Sequence, residues 1–406
     1  MRQGSTIIIS GAGIAGLVAA CWLGERGFRP VVVERSRSLR ATGHAVDLWG
    51  SPLEILGRMG LTGQLAELST RNNVGITVTG NGRRAEVPLS TLSASIHPEH
   101  VEIMRSHLVT LLADAADAHA EWMFGREIVA VEQDADGAIV TLDDGSKREA
   151  SLVIGADGVH SAVGRLVFGD DRQVIPLGAR FGNWSMPNRL NLDGTIVRYL
   201  APGRTMVAFP VPRSDRLAVI ALERTSASRD PSASIDDIQQ AFTDQAWPVP
   251  LLTEGLDEAD DFYGDTIVRV RTRTPVRGRV ALIGDAAFAP GAAVGGGTGL
   301  AVLSAYLLAT AVGEGEASRA LPAYAAAMQP LVAKTERIAP ELLDALLPRS
   351  TLAASLTVRL LPVLAGLPGW LRQRVPILPR PALEGLRAIA GYPIGPADTS
   401  IMPTSH

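Results

Sequence analysis

Three short stretches carry most of the chemistry open to this chain. "GAGIAG" (residues 11–16) sets Gly11, Gly13 and Gly16 between a β-branched run and a helical run. Gly11 permits a tight turn, Gly13 lets backbone approach a pyrophosphate, and Gly16 lets the helix pack closely on the strand. The helix N-terminus then offers free N–H groups to phosphates, with Ala15 in its first turn. Glu34, followed by Arg35, closes the next strand. A carboxylate there accepts hydrogen bonds from the ribose hydroxyls of an adenosine. This pattern does not separate NAD from FAD.

The second stretch, "GADGVHSAVGR" (residues 155–165), puts Asp157 at a strand's C-terminal end. An acid there suits a bound polar cofactor, or equally an Asx-type helix cap. The third, "GDAAFAPGAAVGGGTG" (residues 284–299), puts Asp285 at the tip of a buried strand, within reach of a ribityl-type hydroxyl. The helix starting near Gly295 and Gly297, with Thr298 beside them, aims its N-terminus back at the same ligand, where it stabilises negative charge on a reduced ring. Two glycine loops so far apart imply one long ligand held at both ends. FAD is such a ligand.

The elements that must position these residues read as follows. Residues 6–10, 14–27 and 30–34 form a βαβ unit. Residues 52–59 are a short helix, 74–78 and 85–87 short strands, and 101–119 one amphipathic helix. Residues 128–133 and 138–142 flank "DADG" as a hairpin, and 151–155 is a buried strand. Residues 173–223 alternate, as an antiparallel sheet does. A helix follows at 234–242, strands at 262–270 and 280–283, and helices to the end. The predicted fold class is α/β: an FAD-binding Rossmann-like domain of glutathione-reductase type (residues 1–72, 98–170 and 272–340) interleaved with an antiparallel β-sheet substrate domain (residues 73–97 and 171–271), plus a C-terminal helical segment (residues 341–406). Phe181, Trp184, Tyr199 and Phe209 come from the substrate sheet. Some of them are expected to line the substrate pocket, since alternation turns about half away.

Composition narrows the function. The chain has 406 residues, 46% hydrophobic and 20% charged, with 38 Lys and Arg against 42 Asp and Glu. That near-balance gives no electrostatic footprint for nucleic acid. One cysteine, Cys21, excludes an intramolecular disulfide, a Cys-based metal site and a dithiol pair. The histidines have no metal-ligand spacing, so no metal is expected. No protein nucleophile or acid pair stands out either, so no catalytic side chain is assigned and the cofactor carries the chemistry. No secretory signal and no stretch long and uncharged enough for an integral membrane segment is read. The chain is therefore expected in the cytoplasm, as a monomer or weak homodimer. Residues 351–381 are apolar with interspersed arginines and prolines. They read as C-terminal helices over the substrate cleft, or as a peripheral membrane contact.

The three motifs, in this order and at these separations, resemble the single-component FAD-dependent monooxygenases of the para-hydroxybenzoate hydroxylase class. The similarity is strongest to the bacterial branch of polyketide and tetracycline hydroxylases; "GHAVDLWG" (residues 43–50) and "SMPNRLNLDGTIVRYLAPGR" (residues 185–204) read like that branch. The resemblance implies NAD(P)H as reductant, O2 as co-substrate, a flavin C4a-hydroperoxide, and hydroxylation or epoxidation of a small molecule. Few charges near the sheet favour an apolar or polycyclic one. The resemblance also implies that Arg105 contacts FAD near the pyrophosphate and ribityl chain, that Asp157 helps bind the nicotinamide cofactor, that Asp285 holds the ribityl chain, that Asp47 lies near the flavin and that Arg40 is linked to NADPH. Two departures stand out. Phe288 replaces a frequent His, and Pro290 is the sole proline of a usually proline-rich loop. With Trp49, these are candidate flavin- or substrate-facing groups. An FAD enzyme without monooxygenase activity, a reductase or a redox-neutral cyclase, is the alternative.

Overall fold

Ile7, Ile8 and Ile9 have no solvent exposure, because their strand, Thr6–Ser10, lies inside a sheet covered on both faces. The computed structural model describes residues 3–39, 43–225, 233–244, 246–291, 295–368, 371 and 374–395. Around the first strand run, in order, Val276–Arg277, Val280–Leu282, Leu152–Gly155, Thr6–Ser10, Arg29–Glu34 and Glu121–Phe124. All pairs are parallel except the one made by the edge strand Val276–Arg277. Ser10 sits opposite both Gly155 and Val33, and Gly155 opposite Leu282, so the strands end in step along one edge of the sheet. The helices Ile14–Glu25 and Gly297–Glu314 pack against each other and against this sheet.

A second sheet has seven strands, in the order Tyr263–Thr272, Arg172–Pro187, Arg216–Arg224, Arg204–Pro210, Thr195–Ala201, Val74–Thr79 and Arg84–Pro88. Antiparallel pairing was expected throughout. One pair, Thr195–Ala201 with Val74–Thr79, is parallel. Strands drawn from two distant segments meet there, so no hairpin sets their direction.

The region read as one helix over 101–119 divides in two. His100–Met104 is a strand paired antiparallel with Ala45–Trp49, and the helix is Arg105–Asp117. Val101 and Ile103 fit a helical stripe and a strand equally well, and the long-range partner decides. Glu121–Phe124 and the helix Leu89–Ile96 also escaped the sequence reading. The antiparallel hairpin at residues 128–142 forms where expected.

Helix Gly297–Glu314 is long and apolar enough by composition to cross a membrane, contrary to the sequence reading that no such stretch exists; 61% of it is buried inside the fold, facing other helices. Further helices follow it. Tyr324, on helix Ala317–Thr335, donates to the Leu282 carbonyl at 2.8 Å and ties that helix to the parallel sheet. Helix Thr351–Ala365 lays Ala354 and Val358 on Ala85 and Leu200 of the second sheet.

One buried ion triad crosses the second sheet. Arg180, 2% exposed, bonds Glu223 at 2.8 Å and Asp237 at 2.8 Å. Removing the cation strips two carboxylates of their partner in a poorly solvated site. Arg180→Ala is expected to cost about 3–5 kcal/mol in urea unfolding. A loss under about 1 kcal/mol, the value of an exposed pair, would show the triad to be incidental.

Candidate cofactor and substrate site

The loops after the aligned strand ends converge because backbone lies directly on backbone. A Cβ on Gly11 would stand 2.7 Å from the Ala156 carbonyl oxygen, and one on Gly16 would overlap the Gly11 carbonyl. A Cβ on Gly284 would stand 2.8 Å from Ala15 Cβ. Gly13 is different: nothing lies nearer than the Ala156 oxygen, at 4.0 Å, so its free side is open. Gly13 and Gly296 cap the helices Ile14–Glu25 and Gly297–Glu314, and neither helix has a side-chain cap. Their first N–H groups are therefore available to a ligand.

One cavity of about 1560 Å³ runs over both helix starts. Drug-sized ligand sites hold about 300–1,000 Å³, so this space takes a long cofactor and a second molecule together. Gly11, Gly13, Ala15, Glu34, Arg35, Asp47, Arg105, Asp157, Asp285, Gly295, Gly297 and Thr298 all line it. Gly16 does not; its part is the close packing against Gly11. Arg40 lies outside the described residues.

Glu34 accepts from the backbone N–H of Ala12 at 2.9 Å and of Ser36 at 2.8 Å. Those bonds fix the carboxylate at the cavity's adenosine-type end and leave it further acceptor capacity. Asp157 caps the following helical turn, accepting from the N–H of Ala162 at 2.8 Å and of Val163 at 3.2 Å, and from Ser161 Oγ. Ser10 Oγ donates to it at 3.2 Å. Asp157 is thus a helix cap, and it also lines the cavity.

At the far end stands Asp285, with no hydrogen bond to a described protein group. Burial pushes its carboxyl up, and the charge of Arg105 opposes this. A Cβ on Gly297 would lie 3.6 Å from Asp285 Oδ1, so the acid sits at the second helix N-terminus. The Arg105 N–H donates to the His44 carbonyl at 3.0 Å. Buried beside the cavity are two unsatisfied ring nitrogens, His44 Nδ1 and Trp49 Nε1. Open glycine backbone, uncapped helix starts, an acid at each end and orphaned polar atoms between them are the donor and acceptor set that FAD needs, and the residues present fit it.

Above this floor lie groups that sequence reasoning missed. His100 Nε2 is 2.7 Å from Asp47 Oδ1, and Trp49 stacks on the His100 ring at 5.3 Å. Glu102, opposite Asp47 in the strand pair, bonds Thr70 and Asn72. Burial first, then the Asp47 charge, pushes the Glu102 carboxyl up. Their relation to Asp47 was hidden once residues 101–119 were read as helix, because only the strand pairing puts Glu102 opposite Asp47 and His100 opposite Trp49.

The substrate-side expectations need correction. Of the four sheet aromatics, only Phe181 lines the cavity. Trp184 and Tyr199 point through the opposite face into a separate core with Met186, Met206 and Leu256. Phe209 packs on Met104 and Ala218 beneath the cavity wall. Phe288 is a core residue at 4% exposure, and neither it nor Pro290 lines the cavity, because the turn of helix Asp285–Phe288 carries them inward. The cavity wall is instead Phe181, Asn183, Ile196, Arg198, Val207 and Ile220, roofed by Leu92, Leu346 and Leu361.

Two outcomes follow from this geometry. Gly13→Val fills only open space, so its melting temperature should match the wild type. Its FAD affinity should fall about 100-fold, the loss of two phosphate hydrogen bonds. Titration of the purified variants with FAD checks this, with Gly16→Val as the control that destabilises the fold itself. The second concerns pH. Burial, then the Arg105 charge, hold His44 down to about 4 against an ordinary 6.5. The unfolded chain takes up that proton first as pH falls, so stability is lost between pH 6.5 and about 4. Melting curves of His44→Gln should show a shallower loss over that window; parallel curves would refute the assignment.

The family model described as FAD binding domain matches residues 5–339. A flavin-dependent monooxygenase of Legionella longbeachae serogroup 1 (strain NSW150) is 31% identical over 315 residues, covering 76% of this chain and 80% of that one. An uncharacterized protein of Mycobacterium tuberculosis (strain ATCC 25618 / H37Rv) is 34% identical over 312 residues, 75% of this chain and 84% of that one. The crystal structure of the tetracycline destructase Tet(51) superimposes with a TM-score of 0.79 at 26% identity, covering 96% of this chain and 98% of that one. Klebsiella pneumoniae HpxO, solved with FAD and uric acid, shares the fold, with a TM-score of 0.77 at 23% identity over 95% of this chain and 97% of that one. A two-ended cofactor site built on three distant loops and a family match across most of the chain lead to the same place: this protein belongs to the FAD binding domain family and is an FAD-dependent monooxygenase.

Proposed function

We propose that the enzyme uses NAD(P)H and O2 to hydroxylate or epoxidise an apolar, polycyclic aromatic or polyketide-type small molecule. The observation that carries this reading is the single cavity that joins the two helix starts to an apolar sheet face. The similarity to a structure named for tetracycline destruction supports a polycyclic substrate. Bound FAD supplies reductive activation of O2 and delivery of one oxygen atom.

The chain's own residues bind, orient and exclude water. The N–H groups after Gly13 and Gly296 hold the pyrophosphate and the flavin ring edge. Glu34 takes the adenosine ribose, Asp285 and Arg105 the ribityl chain. Arg35 follows Glu34 at the adenosine end, and Asp157 borders the surface left for the nicotinamide cofactor. Phe181, Ile196, Val207 and Ile220 hold the substrate plane against the flavin and keep water from the reacting face. The His100–Asp47 pair, 2.7 Å apart, holds a proton at His100 Nε2 on the rim of this space. The compartment in keeping with these co-substrates is the cytoplasm.

The test is stoichiometry. FAD-loaded protein should lose its flavin absorption on NAD(P)H addition without air. Under air, with a panel of polycyclic phenols, one member should raise NAD(P)H oxidation and gain one oxygen atom by mass spectrometry. Asp285→Ala should bind FAD about tenfold more weakly. A flavin that NAD(P)H never bleaches would sink the proposal in favour of redox-neutral chemistry.

A further inference from the structure

Two buried arginines and one half-buried arginine serve the second sheet or its border, and the two buried ones are satisfied by protein. Arg180 is paired with Glu223 and Asp237. Arg172 donates to the carbonyls of Ala286 at 2.6 Å and Val159 at 2.6 Å, and to Gly158 at 3.4 Å. Arg198 is not satisfied. Its Nε donates to Thr77 Oγ1 at 3.3 Å, its register partner on the neighbouring strand, and no carboxylate pairs with it among the described residues. A guanidinium has five N–H donors, so four have no protein acceptor among the described residues and face the cavity. The side chain lines the cavity, on the face shared with Ile196. Its surroundings are apolar enough that burial pushes its pKa down to about 10. It therefore remains a cation at neutral pH, in a place where a cation is costly.

An uncompensated charge in an apolar wall lowers stability, and an apolar residue of similar volume is often the more stable choice. Structure alone gives no reason for Arg198. A ligand does. We propose that Arg198 is the substrate-recognition point of the cavity and that it takes a paired, ionised oxygen group, a carboxylate or the enolate of an acidic β-dicarbonyl, carried on an apolar ring system. This deepens the proposed function and rests on it: the ring system lies on Phe181, Ile196, Val207 and Ile220, and the acidic oxygens reach the guanidinium fork, with the Thr77 hydroxyl beside it. A planar fork matches two oxygens at once, which fixes the ring's orientation as well as its affinity.

Three probes of similar size separate the sources of this chemistry: anthracene-2-carboxylate, its methyl ester, and 2-acetyl-1,3-indandione, an acidic triketone. Calorimetric binding to the FAD-loaded protein should favour at least one ionised probe over the neutral ester by about tenfold or more. Preference for the carboxylate alone identifies an acid as the substrate, and preference for the triketone identifies an enolate; each supports the proposal. Arg198→Met should abolish the preference while melting no lower than wild type, and Arg198→Lys should keep part of it. A structural role would instead lower the melting temperature and leave the preference intact. Equal binding of all three probes, which would mean that the guanidinium only stacks on a ring, overturns the proposal, as does a preference that survives in Arg198→Met. Should Arg198→Met fail to fold, the wild-type probe comparison and Arg198→Lys still decide. If the protein holds no FAD, the monooxygenase reading fails, and calorimetry on the FAD-free chain still reads the preference.

Discussion

Backbone lies on backbone where three parallel strands end, and the rest of the site hangs from that contact. Gly11 meets Ala156, Gly16 meets Gly11, and Gly284 meets Ala15, each at a separation that a side chain would fill. Two of these contacts, Gly11 with Ala156 and Gly284 with Ala15, join segments more than a hundred residues apart along the chain. A Cβ at any of the three positions pushes one loop outward, and the two helix starts then no longer face one ligand. Close approach here is a property of atoms that are missing, so it is cheap to encode and easily lost. It also explains why the parallel sheet must be continuous: Ser10, Gly155 and Leu282 have to end in step for their loops to touch.

The second sheet solves another problem. It turns one face to its own core and the other to the cavity. Trp184 and Tyr199 fill the first face, with Phe181, Ile196 and Val207 on the second. Charges buried in such a sheet need partners. Where stability alone decides, they have them, as Arg180 does. Among the described residues, Asp285, His44 Nδ1 and Trp49 Nε1 have no protein hydrogen-bond partner and Arg198 has only the Thr77 hydroxyl, and all four residues border one cavity; other orphaned groups, such as Trp22 Nε1 and Trp184 Nε1, lie in the cores. Polar groups placed ahead of the ligand keep their orientation without reorganising when it arrives.

Much of the cofactor half was legible in the sequence, because its signals are local. A strand, a glycine loop and a helix start occupy consecutive residues, and the type of each residue reports its backbone. The substrate half was not, for two reasons. Large aromatics in a strand mark burial rather than a site, so Trp184, Tyr199 and Phe209 drew attention that belonged to the residues facing the cavity. Which of two faces looks at the cavity depends on long-range pairing, and alternation gives the faces without saying which is which. The same limit hid Ala45–Trp49 and His100–Met104: each is an ambiguous short run alone and a strand only beside the other. Arg198 was inconspicuous for a related reason. Its type is ordinary; what singles it out is that no carboxylate among the described residues pairs with it.

The two halves also differ in how far the family model reaches, although the structural likeness to Tet(51) covers 96% of the chain. The family match ends at residue 339, with all the cofactor-side loops inside it. Apart from Leu92, the roof over the cavity lies just beyond, with Leu342, Ala345, Leu346, Thr357 and Leu361, and continues to Leu386. Helix Thr351–Ala365 is anchored by Ala354 and Val358 on the second sheet and turns Thr357 and Leu361 toward the cavity. The floor, which any FAD-using member must keep, is thus made from the matched region. Much of the cavity's other wall comes from helices beyond the matched region. Oxygen transfer demands the same cofactor geometry for every substrate, while recognition demands a different enclosure for each. A chain that builds the floor first and much of the roof last can change the second without disturbing the strand ends on which the first depends.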